Sequence, residues 1–89
     1  MIYTAVTSLT PEQVFLRAKR FFAERVPNQA AFPDKEGPGF LVLRGQGGEE
    51  LAISATQEGG VTHVRGSTLL FDQPLERFLS ILPQAEVAV

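Results

Sequence analysis

Residues 10–26, TPEQVFLRAKRFFAERV, decide the fold of this chain. Thr10 is a helix N-cap, since its hydroxyl can accept from the free N–H groups of a first turn. Pro11 falls at the first helical position, where a missing N–H costs nothing and the fixed φ is already helical. Gln13 completes a T-x-x-Q capping box, and Leu9 and Val14 are spaced for a hydrophobic staple. At about 100° per residue, Val14, Ala18, Phe21 and Phe22 share one stripe, with Phe15 and Val26 at its edge. Arg17, Lys19, Arg20 and Glu24 take the other side, along with Leu16 and Ala23. Three phenylalanines on one stripe gain roughly 2–3 kcal/mol each on full burial. Such a helix needs an apolar layer to lie on, and a β-sheet is the obvious one.

The strands are read outward from that helix. Residues 2–9 (IYTAVTSL) are β-branched, aromatic and partly alternating, and predict a first strand. Residues 27–39 (PNQAAFPDKEGPG) carry three prolines and two glycines in thirteen positions and predict a long loop, with 30–32 placed to anchor its middle. Residues 40–44 (FLVLR) form a continuous apolar run, as in a strand with apolar contacts on both faces. GQGGE reads as a hairpin turn, and residues 51–57 alternate. A second tight turn follows at Glu58-Gly59-Gly60. Residues 61–71 predict the longest strand, with Gly66 marking a bulge or a close approach by another backbone. A shorter helix starts at Asp72-Gln73-Pro74 by the same logic as the first. It carries Leu75, Phe78, Leu79 and Leu82 on its apolar stripe and ends at Pro83. The tail 84–89 (QAEVAV) is either frayed or a short added strand.

The order is β-α-β-β-β-α. The connections of the meander are too short for crossovers, so its strands are antiparallel. The expectation is an α+β two-layer sandwich: a four-stranded, mainly antiparallel sheet in a single domain spanning 1–89, with a long and a short helix on one face.

A strand followed by a helix opening T-P-E-x-V-F, here Thr10 to Phe15, resembles the early element of the helix-grip proteins of the START/polyketide-cyclase type. The resemblance covers the first strand, the helix start and the topology. It implies a curved sheet gripping a long helix. This chain is shorter, with fewer strands and no long C-terminal helix, so the enclosed ligand cavity of that family does not carry over. Cystatin-like topology matches the element order as well, without a recognisable inhibitory motif.

Composition narrows the function. Eighty-nine residues bury only about 60–65% of their extended surface. The absence of cysteine removes disulfides and thiolate chemistry. A net charge of −2, interspersed along the chain, gives no drive toward nucleic acid or anionic lipid. Nothing reads as a membrane span or a leader, so the chain is expected to be soluble, cytoplasmic and free of membrane partners. One histidine and no cysteine argue against zinc, and no cofactor is expected.

Ser67, His63 and Asp72 have the residue types of a catalytic triad, but no nucleophile-elbow motif places them, so an enzyme is not expected. Gly45-Gln46-Gly47-Gly48 is followed by a strand and lacks the helix N-terminus of a phosphate loop. Glu49-Glu50 lacks converging partners for metal or acid chemistry. The basic helix positions scatter around the wheel and read as a solvated face.

Two surfaces remain. Arg44, His63 and Arg65 form a candidate polar-ligand patch, for which ordinary cross-strand pairing on a solvated face is the more economical account. Phe40, Val42, Leu69 and Phe71 form a candidate apolar interface, because residues 40–43 offer apolar side chains to both sheet faces. The leading expectation is a self-associating interaction module, most simply a homodimer. The alternative is a binder of a small apolar ligand between Phe15, Phe22 and the sheet, lidded by residues 27–39.

Overall fold

The computed structural model describes residues 2–24 and 30–84. It is an α+β protein in which a five-stranded antiparallel sheet carries two helices. The elements are β1 (Ile2–Thr7), α1 (Pro11–Ala23), β2 (Ala31–Gly37), β3 (Phe40–Gly45), β4 (Glu50–Glu58), β5 (Val61–Thr68) and α2 (Asp72–Ile81). The strand order across the sheet is β1-β5-β4-β3-β2, with β1 and β2 at the edges.

The start of α1 follows its sequence signals. The Gln13 N–H donates to Thr10 Oγ1 at 3.2 Å, and the Thr10 N–H donates to Gln13 Oε1 at 2.9 Å. Val14, Phe15, Ala18 and Phe22 are buried. Phe21 is half-buried, its ring edge-on to Phe22 and 5.4 Å from the ring of Phe78 on α2. Those three rings join the helices over Leu41, Leu43, Leu51, Ile53 and Val64 of the sheet. Arg25 and Val26, the expected end of α1, lie outside the described residues.

One expectation is corrected by a whole strand. Part of the predicted loop, Ala31–Gly37, is β2, which pairs antiparallel with β3 and makes the sheet five-stranded. Its sequence hides this because an edge strand can hold Pro33 without losing a ladder bond on its outer side. A register shift between Pro33 and Lys35 absorbs the irregularity. Ala30 and Ala31 are buried, whereas Phe32 is exposed.

Other boundaries move by short-range chemistry. β5 ends at Thr68 rather than Phe71, because the Thr68 hydroxyl donates to the Glu50 carbonyl and accepts the Phe71 N–H, each at 3.1 Å. Asp72 is the first residue of α2 rather than its cap; Phe71 is the N-cap and makes no side-chain cap bond. The Asp72 carboxylate instead accepts from the Tyr3 hydroxyl at 3.2 Å. Gly66 causes no register shift in either ladder; the close neighbour there is the Leu75 side chain, not a backbone. Beyond α2, Gln84 makes an isolated antiparallel bridge with Thr7, and the Ser8 N–H donates to the Pro83 carbonyl at 3.4 Å. The rest of the tail, 85–89, lies outside the described residues.

The two edges differ in kind. β1 reads IYTAVT, with no proline and no charge, and its ladder to β5 has no shift. β2 carries Pro33, a register shift and three consecutive charges, Asp34, Lys35 and Glu36, which are devices that blunt an edge.

Candidate interaction surface

Alternation along the ladders places one side-chain set under the helices and the other on the open face. Two rows cross that open face. The first runs Ile2, Ser67, Ala52, Val42 and Lys35, and the second runs Thr4, Arg65, Ser54 and Phe40. Ile2 and Phe40 are exposed, and Val42 and Ala52 are half-buried. Ile2, Phe40, Ala52 and Arg65 share a shallow hollow of about 290 Å³. The Phe40 ring also lies over Gly37, filling the space a side chain there would take. It thereby covers a bare stretch of the edge strand.

The expected apolar interface is divided by the fold. Phe40 and Val42 are on the open face. Leu69 lies beyond the end of β5, in the bend before α2, and is exposed. Phe71 is corrected outright: it is 4% exposed and belongs to the core, its ring against Gly45. The Thr68 bend is the cause, since it ends the alternation that would have kept Phe71 beside His63.

The expected polar patch is divided as well. His63 faces Val6 and Thr56, and Arg65 faces Thr4 and Ser54. Arg44 lies two strands from Arg65 and four residues along the ladder, on the order of 17 Å away by strand spacing. It is engaged elsewhere. Its guanidinium donates to Asp34 Oδ2 at 3.1 and 3.2 Å, to Glu50 Oε2 at 3.1 Å and to the Gly48 carbonyl at 3.0 Å. The bond to Asp34 and the charge of that carboxylate raise the Arg44 pKa above its ordinary value; Glu50 adds to this and partial desolvation opposes it. Arg44 therefore ties β2 to the β3–β4 hairpin. Sequence reading missed Asp34 because the strand that presents it looked like loop.

Ser67 and His63 are on the open face, whereas Asp72 is bonded to Tyr3 on the helix side, so no triad assembles. Among the described residues no three His, Asp or Glu side chains are grouped to hold a metal ion, and no helix is long and apolar enough to cross a membrane. Phe22 is fully buried. Among the described residues, a hollow of about 380 Å³ lies outside α1 between Phe15, Leu16 and Pro38. Lys19 and Glu36 in its wall form an ion pair at 2.7 Å.

No protein family, no curated protein and no solved structure matches this chain.

Proposed function

We propose that this protein is a self-associating interaction module, in which a second copy covers the open sheet face around Phe40, Val42 and Ala52. The observation that carries the reading is the hollow shared by Ile2, Phe40 and Ala52 on the sheet face opposite the two described helices. Contiguous exposed apolar groups of this kind mark interaction surfaces. The small polar residues Ser54 and Ser67 and the cation Arg65 surround them, which suits an apolar centre with a polar rim. A binding role also fits the engaged state of Arg44, and the place of His63 opposite Val6 and Thr56, better than catalysis does. The likeness to helix-grip proteins enters as a shared plan of sheet and long helix rather than a shared pocket. The small-ligand alternative stands second, because Phe22 is fully buried and the hollow beside Phe15 lies outside the helix rather than beneath it.

Sedimentation velocity across the micromolar range tests the proposal. The expected result is a concentration-dependent dimer. Ala52→Arg, which places a long cation at the middle of the face, shifts it to monomer with the circular dichroism spectrum unchanged. A wild-type chain that stays monomeric removes the reading.

A further inference from the structure

The outer border of β1 is already engaged at one end. The Thr7 hydroxyl and the Ser8 N–H both donate to the Pro83 carbonyl, and Thr7 bridges Gln84 in antiparallel register. Leu82, just before them, is buried. The chain that leaves α2 is thereby pinned to the sheet edge and turned back along β1. Ahead of it, between β1 and α2, lies a hollow of about 490 Å³. Tyr3, Ala5 and Val6 bound it on one side, and Glu76, Leu79 and Ser80 on the other.

The backbone of that edge has bonds to give. Along an antiparallel strand, alternate N–H groups point to opposite sides. The Ser8 N–H leaves the sheet toward Pro83, so those of Val6 and Thr4 leave it on the same side, while those of Tyr3 and Ala5 turn to β5. Neither proline nor charge interrupts the row, and such a border is a template for another strand. The sequence supplies one, since Gln84 is followed by AEVAV. Carried on from the bridge, the register sets Ala85 opposite Val6, Glu86 opposite Ala5, Val87 opposite Thr4, Ala88 opposite Tyr3 and Val89 opposite Ile2. Opposed residues share a face. The two valines would then join Thr4 and Ile2 on the open face, and the small Ala88 would sit beside Tyr3 under α2. Glu86 would be an inward charge on an outermost strand, which discourages any further one.

We infer that residues 85–89 of the same chain add to β1 as a sixth strand, filling the hollow along α2. The inference is independent of the sheet-face contact. A strand from another chain can enter this groove only by displacing the tail, so the tail guards a site of the kind that takes extended peptides by strand addition.

Amide hydrogen exchange, read residue by residue by NMR, tests it on the full chain and on a chain ending at Gln84. The Thr4 and Val6 amides are expected to exchange at least about tenfold more slowly in the full chain. The Tyr3 and Ala5 amides, bonded to β5, stay protected in both and report that the fold is intact. In the full chain, Val87→Pro removes the N–H that would donate to Thr4 and unprotects the Thr4 amide without loss of the others. Thr4 and Val6 amides that exchange in the full chain as fast as Ser54 or other open-face hydroxyl-bearing sites outside a ladder would do, or as fast as in the shortened chain, overturn the inference. So does protection that grows with protein concentration, which would place a second copy in the groove.

Discussion

Gly66 on β5 lies directly beneath Leu75 on α2: a methyl group added to the glycine would fall 2.6 Å from Leu75 Cδ1 and 2.9 Å from Cδ2. The glycine is therefore the seat of the short helix on the sheet. Gly66→Ala is expected to destabilise by about 1–3 kcal/mol, as overpacking does. Leu75→Ala alone is expected to cost about 2–5 kcal/mol as a cavity. The double variant should cost clearly less than the two together, because the alanine methyl occupies part of the space the leucine vacates. Urea unfolding of the four chains measures the coupling, and strict additivity would show that the two side chains do not share that space.

Phe22 has the same role for the long helix. It is fully buried, with ring centroids 5.1 Å from Phe21 and 5.8 Å from Phe78. Phe22→Ala should lose about 3–5 kcal/mol. In a domain of this size that is a large part of the total stability. Phe22→Leu should lose much less, and thermal unfolding followed by circular dichroism distinguishes them.

Thr62 offers the opposite sign. Its side chain is fully buried on the helix side of β5, and its Oγ1 has no hydrogen-bond partner among the described residues. Thr62→Val keeps the shape and removes the orphan hydroxyl. The expected outcome is neutral to about 1 kcal/mol more stable. A clear loss of stability would mean that the hydroxyl is satisfied in solution.

Tyr3 gives the fold a pH dependence in alkali. Desolvation first, then the charge of Asp72 and its hydrogen bond, then the charge of Glu76, raise the phenol pKa above its ordinary value of 10.0. The folded chain thus holds this proton more tightly than the unfolded one. The resulting stabilisation is complete below pH 10.0 and is lost as pH climbs from there through the folded pKa. Urea midpoints should be level up to that point and fall above it, less steeply in Tyr3→Phe. The chain has one tyrosine and no tryptophan, so phenolate absorbance reports the group alone. A phenol titrating at its ordinary value in the native protein would contradict the account.

Much of this architecture was legible in the residues, and what was not has a physical cause. α1 could be read because its cap, its proline, its box and its apolar stripe are all local signals that agree. β2 could not, because Pro33, Asp34 and Gly37 are turn formers, Lys35 and Glu36 are poor strand formers, and only pairing with β3 makes them a strand. Arg44 was visible as a cation, but its partner Asp34 was hidden with that strand. Leu69 and Phe71 were read as same-face neighbours by extending the period of β5. One threonine hydroxyl stops the period, turning Phe71 into the core and leaving Leu69 in water.

The unlike borders of the sheet limit how far this protein can grow by backbone pairing. A copy that added itself along the part of β1 before the Thr7–Gln84 bridge would present the proline-kinked, charged flank of β2 as its own far side. Edge-to-edge recruitment would then stop at two chains, with both exposed ends blunted. Blunted borders of this kind keep a sheet from the endless hydrogen-bonded stacking that makes fibrils.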